Sequence, residues 1–458
     1  MRYSNSWKEM ISWLSCCKSR YKCSTSKSLS SKMKPVKIAI ICDWLIDFAW
    51  AELVISHLLE LYPDADIYTS VSFMDHPMLV GRRVYTSWLQ RVPFFNRRHK
   101  LAGILRPWAF RSFDLSGYDI IISSSSAEAK NAGYRSKRIT EWQDNRMTDG
   151  TDTCETVKLW NCKSVKPIHI CYCHTPTRYY WSHYEEYRNM MEFGIWNPLA
   201  RFVLDRLIGW LRKVDYAAAQ RVDFFIANSE NTQERIKKYY NRDSTVIYPW
   251  VDLPLLSSRR DPFQSHLWEK DNIALISKGD RDSSVSLRND KKEEYYLWLG
   301  RCIPYKRFDL LVDAFNENGK RLILCTATDT PLFRELRARS KPNIEWRFRV
   351  SSEEKDYLMA GARVFLFPPL EDFGLVPIEA MAMGTPVIAY GEWGALETVV
   401  DGVTGVFFSP QSPEALNQAI DRFKTMEWDR EQIREHAEQF SKERFQENIL
   451  EYIETHAK

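Results

Sequence analysis

Two glutamates, Glu371 and Glu379, stand eight positions apart in the stretch Glu371-Asp-Phe-Gly-Leu-Val-Pro-Ile-Glu379, which runs on into Ala-Met-Ala-Met-Gly-Thr-Pro-Val-Ile-Ala. The apolar run 364–367 before it reads as a strand, the residues up to Gly384 as a short helix, and Thr385-Pro386-Val387-Ile388 as the next strand. A strand–loop–helix–strand unit puts its loop at the carboxyl edge of a parallel sheet, where open α/β sheets bind ligands. There the two carboxylates can share a crevice with the free N–H groups of the helix start, which attract an anion. A ligand with many hydroxyls and a phosphate suits such a site. A surface loop with a helix-capping acid is the plainer alternative.

Two more groups of residues could do chemistry. Leu299-Gly300-Arg301-Cys-Ile-Pro-Tyr-Lys306-Arg307-Phe308 sets two cations five apart, between a strand end and a helix. A guanidinium grips two phosphate oxygens as a fork and an ammonium acts as a movable point charge, so the pair suits a diphosphate. Otherwise it is a solvated basic loop. His174-Thr-Pro follows the apolar strand 169–173. A histidine in that place either satisfies the core or works at the sheet edge.

Together these segments resemble the retaining glycosyltransferases of family 4, which have the GT-B fold. The resemblance rests on the Glu-x7-Glu spacing, on Gly391-Glu-Trp-Gly394, Glu397 and Asp401-Gly-Val-Thr-Gly405 behind it, and on the Gly-Arg-x4-Lys element at 300–306. It implies that Glu371 touches the donor hexose and Glu379 the ribose hydroxyls. Phe373, Gly374 and Leu375 bring the helix start to the diphosphate, and Arg301 and Lys306 bind the donor phosphates. It places His174 near the donor sugar. The run Cys171-Tyr-Cys-His-Thr-Pro-Thr-Arg-Tyr-Tyr-Trp181 is similar to the mannosyltransferase branch that builds O-antigen and exopolysaccharide. Arg178 and Lys130 then become partners for an acceptor phosphate, and Trp50 lies on the acceptor side.

The implied reaction is retaining hexosyl transfer with no metal and no cofactor. The donor is a nucleotide sugar, GDP-mannose first, and the acceptor a lipid-linked or polysaccharide chain. No Asp-x-Asp stands at a strand end, which speaks against a metal-dependent GT-A enzyme. Three places depart from the family pattern. Asp47-Phe-Ala49-Trp50-Ala51-Glu52 stands where relatives have Gly-Gly-Ala-Glu, Ala327-Thr328-Asp329-Thr330 where they often have Gly-Asp-Gly, and Ser123 to Ser126, which reads as a Ser-rich loop after the strand 118–123, where many have a histidine. The alternative they open is a catalytically impaired GT-B protein that binds nucleotide sugar as a scaffold or regulator. A sugar-nucleotide epimerase of the same shape is a third reading, opposed by Glu-x7-Glu.

Alternating strands and helices must position these residues. The 458 residues suffice for two cores, and the expected architecture is two Rossmann-like, doubly wound α/β domains facing across a cleft. The segments are a basic extension (1–33), an N-terminal acceptor-side domain (34–256, with a polar insertion at about 136–166) and an insert or linker (257–292). A donor-binding domain (293–425) and C-terminal helices (426–458) follow; a single helix is expected over about 430–455, its part near 440–455 crossing back to the N-terminal domain. A net charge of +4 marks no nucleic-acid binder. Residues 1–34 are nevertheless basic, with eight Lys or Arg against Glu9, and Trp7, Met10, Ile11, Trp13 and Leu14 recur at helical spacing. That segment reads as a membrane-touching appendage, a disordered tail or residues before the true start at Met33. No apolar run approaches the ~20 residues of a membrane span. The ten scattered cysteines form no pair of Cys-x-x-Cys motifs, so free thiols in a reducing cytoplasm, or at the cytoplasmic face of a membrane, are expected.

Overall fold

The computed structural model describes residues 36–46, 48, 50–92, 103–133, 166–182, 184–189, 197–251, 253 and 294–456. The basic extension, residues 257–292 and nearly all of the 136–166 insertion lie outside the described residues, as do Asp47, Ala49 and the side chain of Trp50. Residues 37–458 form one compact unit.

Its first half contains β1 (Ile38–Cys42), α1 (Trp50–Leu61), β2 (Asp66–Thr69), β3 (Val84–Thr86), α2 (Arg106–Arg111), β4 (Ile120–Ser125) and β5 (Ile168–Cys173). After them come α3 (Tyr184–Asn189), α4 (Asn197–Ala219), β6 (Phe224–Ala227), α5 (Glu230–Tyr240) and β7 (Thr245–Val246). The seven strands form a parallel sheet in the order β3-β2-β1-β4-β5-β6-β7, whose reversal beside β1 is the switch point of a doubly wound fold.

The second half repeats the design. It runs β8 (Tyr296–Leu299), α6 (Phe308–Asn318), β9 (Leu322–Thr326), α7 (Pro331–Arg339), β10 (Ile344–Phe348), α8 (Ser352–Gly361) and β11 (Val364–Phe367). Then follow α9 (Leu375–Ala382), β12 (Val387–Tyr390), α10 (Gly394–Thr398), β13 (Gly405–Phe408), α11 (Pro413–Lys424), α12 (Arg430–Ala437) and α13 (Lys442–His456). The six strands run parallel in the order β10-β9-β8-β11-β12-β13. Strands β8, β9, β11, β12 and β13, rich in large apolar residues, are largely buried, as helices on both sides of a parallel sheet require, whereas the edge strand β10 is only partly covered.

Two expectations change. Ser123, Ser124 and Ser125 are not a loop: they extend β4, pairing in register with Cys171, Tyr172 and Cys173 of β5. Small hydroxyl side chains fit because each bonds internally: Ser123 Oγ to His169 Nε2 at 2.8 Å, Ser124 Oγ to His174 Nε2 at 2.8 Å and Ser125 Oγ to the Ala127 carbonyl at 3.2 Å. The expected single helix 430–455 is two, broken at Ser441, where the backbone turns extended. The break separates two cores. Ile433 and Ala437 of α12 pack into the C-terminal core, whereas Phe445, Ile449 and Ile453 of α13 pack with Ile38, Ile40 and Ile170 of the first sheet.

Candidate active site

The carboxyl ends of β8 and β11 carry the two motifs with the strongest chemistry. After β8 the chain makes a single tight turn, Pro304–Lys306, and Arg307 takes a left-handed conformation (φ 54°) before α6 begins. This turn aims Lys306 across the sheet edge, where its Nζ meets Glu371 Oε1. Both side chains are largely buried. Arg301 is exposed and, among the described residues, forms no ion pair or side-chain hydrogen bond. The Thr328 side chain, in the segment replacing the glycine-rich loop, anchors this turn: its Oγ1 accepts from Cys302 N at 2.8 Å. Thr330 caps α7 and donates to the Cys302 carbonyl at 2.9 Å. These threonines position Arg301 from behind.

Glu371 opens the loop into α9. Gly374 precedes the helix at φ +88°, a conformation that L side chains rarely adopt, and a Cβ there would lie 2.8 Å from Phe367 Cζ. No side chain caps α9, so the N–H groups of its first turn have no side-chain partner there. Phe373 is buried and stacks on Tyr248 with ring centroids 5.2 Å apart. Glu379 lies one turn further along α9, and Lys355 of α8 donates to its Oε2 at 3.1 Å.

The first sheet faces this edge with the loop after β5. His174 Nε2 bonds Ser124 Oγ, and burial, with the Arg178 cation next, pushes its imidazole down to about 4. It is therefore neutral at pH 7. Arg178, four residues on, reaches the second domain: its Nε donates to Asp372 Oδ2 at 3.1 Å and its Nη2 contacts the same oxygen. Arg235 of α5 holds the other oxygen of Asp372 and lies over the Trp393 ring at 4.1 Å. Glu397 adds a further link by accepting from Glu230 N at 2.6 Å and Asn231 N at 3.0 Å, the first two amides of α5. Burial raises its pKa above the ordinary carboxylate range even so.

Lys130 has another place. It is 1 % exposed, and its Nζ pairs with Asp215 Oδ1 at 2.7 Å and donates to Thr177 Oγ1 at 2.9 Å. It is walled in beneath the 174–178 loop and supports that loop; an acceptor phosphate has no access to it. Arg178 does face the cleft, but Asp372 holds its guanidinium. Trp50 is the first residue of α1. Beside it, a cavity of about 160 Å³ at the edge of the first sheet is lined by Asp43, Trp44, Ala51, Glu52, Ser124 and Ser126. Asp43 shapes its floor, accepting from the amides of Ser126, Ala127 and Ala129. Cys171 and Cys173 are buried thiols, Cys171 pushed by burial to about 12. Among the described residues, no three His, Cys, Asp or Glu side chains gather as around a metal ion.

Asp372, Arg235 and Trp393 were not singled out by the motifs. Arg235 could have been: on α5 it shares a stripe with Thr232, Ile236 and Tyr240, all buried, and an arginine on the inward face of a helix needs a partner. Asp372 and Trp393 carry no such signal, since only the packing of the two halves brings them to that arginine.

Residues 280–440 match the family model described as "Glycosyl transferases group 1". The chain is 28% identical over 229 residues to the alpha-1,3/1,6-mannosyltransferase ALG2 of Saccharomyces cerevisiae, covering 42% of this chain and 43% of that protein. It is 25% identical over 286 residues to the ALG2 protein of Schizosaccharomyces pombe, covering 57% and 51%. The chain thus spans about half the length of the curated relatives it matches. Among solved structures, Anabaena HepE in complex with UDP superposes with a TM-score of 0.59 at 17% identity, covering 92% of this chain and all of that one. The lipopolysaccharide outer core galactosyltransferase WaaB in its apo form gives 0.56 at 16%, covering 92% and 99%. Two parallel sheets of seven and six strands and these superpositions establish the GT-B fold.

Proposed function

We propose that this chain, whose residues 280–440 match the family model described as "Glycosyl transferases group 1", is a glycosyltransferase that moves a hexose from a nucleotide sugar to a lipid-linked or polysaccharide acceptor with retention of configuration and without a metal. Within family 4 it sits with the mannosyltransferases. GDP-mannose is the first donor to test, and the cytoplasmic face of a membrane is where a lipid-linked acceptor would be met. The ALG2 relatives, by their names mannosyltransferases, support that sugar; HepE, solved with UDP, supports a nucleoside diphosphate in this cleft.

The observation that carries the reading is the meeting of Lys306 Nζ with Glu371 Oε1, which unites motifs 65 residues apart at one sheet edge. As the bond from the anomeric carbon to the diphosphate breaks, negative charge grows on the leaving oxygen. Lys306, Arg301 and the open amides of α9 stabilise it, and prearranged donors of this kind contribute about 3–4 kcal/mol each. Glu371 takes hydrogen bonds from the hexose hydroxyls, and Glu379 those of the ribose. The acceptor oxygen attacks the anomeric carbon from the face the phosphate leaves, and its proton passes to the departing phosphate oxygen. Neutral His174 borders the sugar as a hydrogen-bonding group without adding charge. Closure over Asp372 excludes water and fixes the two substrates' alignment.

Incubation of the full chain with GDP-mannose and a lipid-linked oligosaccharide in EDTA tests this. The expected result is an α-mannosyl product, with its anomer assigned by NMR. Donor binding with no transfer to any acceptor supports the scaffold alternative instead.

A further inference from the structure

Helix α4 is apolar on the wrong side. Its inward stripe, Leu211, Asp215, Ala218 and Ala219, is buried against the loop that carries Arg178. There Asp215 accepts from Thr177 Oγ1, Trp181 Nε1 and Tyr240 Oη, and Arg212 Nε donates to the Tyr180 carbonyl at 2.6 Å. The opposite stripe faces solvent, yet it presents Leu199, Phe202, Val203, Trp210 and Tyr216, each between 40% and 55% exposed. A surface helix normally keeps that face polar. Trp108 of α2 widens the patch by stacking on Trp210, with centroids 5.0 Å apart and both rings exposed.

The charges on the same face have one sign. Arg206 and Lys213 are exposed and form no ion pair among the described residues, and the Arg206 guanidinium lies 4.9 Å from the Phe202 centroid. The acid beside them, Asp205, is already paired with Arg188 at 2.7 Å. Exposed aromatics interleaved with unpaired cations match the boundary of an anionic bilayer, where rings sit at the headgroup level and long basic side chains reach the phosphates. A second copy fits less well, because antiparallel pairing about Gly209 would bring Arg206 and Lys213 against like charge. No described helix is long and apolar enough to cross a membrane. A helix of 23 residues, roughly 35 Å long, can lie in its surface.

We infer that the outer face of α4, with Trp108, docks the chain on an anionic lipid surface. The docked helix supports the Arg178 loop directly, so a lipid-linked acceptor would emerge beside the cleft. The inference extends the proposed function but is read by lipid partition, so it can fail while nucleotide-sugar binding stands.

Flotation of the full chain with phosphatidylcholine vesicles, with and without phosphatidylglycerol, tests it. The chain should float with the anionic vesicles and be released by salt. A Phe202→Glu, Trp210→Glu variant should lose about tenfold or more of its partition, and Arg206→Gln with Lys213→Gln should lose about tenfold. Helical content and the melting shift given by GDP-mannose should stay unchanged in all variants. Equal flotation of the variants assigns lipid binding to another segment, such as the basic residues 1–34, and overturns the inference. So does absence of flotation, or a lipid-free dimer in sedimentation that the same substitutions dissolve.

Discussion

Asp372 joins the two halves of the cleft: Arg178 Nε, from the first domain, donates to its Oδ2 at 3.1 Å while Arg235 holds Oδ1. Asp372 is 5% exposed and Arg235 7%, so most of this contact is withdrawn from water. It sits between Glu371 and Phe373 and ties the Glu371 loop to the loop of His174. Replacing Asp372 by Asn removes the carboxylate that two guanidinium groups share. Breaking a buried pair by removing one partner costs about 3–5 kcal/mol; the low end applies, since Arg178 is one-third exposed. The cost should appear as an open cleft. Small-angle scattering should show a larger radius of gyration, and kcat/KM should fall with donor affinity largely kept. An unchanged radius and rate would contradict the clasp.

Arg301 should separate catalysis from stability. Its exposed, unpaired side chain predicts a melting temperature in Arg301→Ala equivalent to a change within about 0.5 kcal/mol. Loss of a charge-stabilising donor predicts a kcat lower by about 10²–10³. Lys306→Ala should lower kcat similarly while leaving Glu371 without its cation. Thermal denaturation and steady-state transfer rates measure both; wild-type turnover in either variant sinks the assignment.

Acid should destabilise the fold through two imidazoles. His169 and His174 are held by burial at about 4, against an unfolded value near 6.5. Above ~6.5 both states bind no proton there, and between ~6.5 and ~4 only the unfolded chain does. Stability therefore falls as pH drops through that window, by up to about 1.4 kcal/mol per pH unit for each histidine. Urea titrations at pH 7, 6 and 5 should show it, and His169→Gln should flatten the slope. A variant with the same slope as wild type would count against this origin.

Gly394 and Gly209 make a contrasting pair. A Cβ on Gly394 would stand 2.3 Å from Phe373 Cα and 2.4 Å from its carbonyl oxygen, with backbone on both sides of the clash. Gly394→Ala should displace the donor loop, cost about 1–3 kcal/mol and weaken the GDP-mannose melting shift. At Gly209, inside α4, nothing lies within 4 Å. Gly209→Ala should raise stability by about 0.5–1 kcal/mol. Calorimetric melting of the two variants with and without donor checks both.

The sheet edge that gathers Arg301, Lys306, Glu371 and Glu379 was legible in the sequence because its geometry is local: the first three lie in short strand-to-helix turns and Glu379 on the helix after the second, a spacing that survives without tertiary knowledge. The strands were legible for the same reason, as apolar runs between turns. What escaped depends on contacts between distant segments. Nothing near Lys130 announces Asp215 as its partner, 85 positions away, so a buried support looked like a phosphate ligand. The serines of β4 look like a loop until β5 and two histidines satisfy their hydroxyls. The break at Ser441 is set by two cores competing for one helical sequence. Asp372 acquires its role only where the two halves pack together.

Titration calorimetry of the full chain with GDP-mannose in EDTA decides whether the edge formed by Arg301, Lys306, Glu371 and Glu379 binds a nucleotide-sugar donor. One site per chain is expected, weakened about tenfold or more, roughly 1.4 kcal/mol, in Glu379→Gln and in Lys306→Ala. No binding of GDP-mannose or of any UDP-sugar, or equal affinity in those variants, would contradict it.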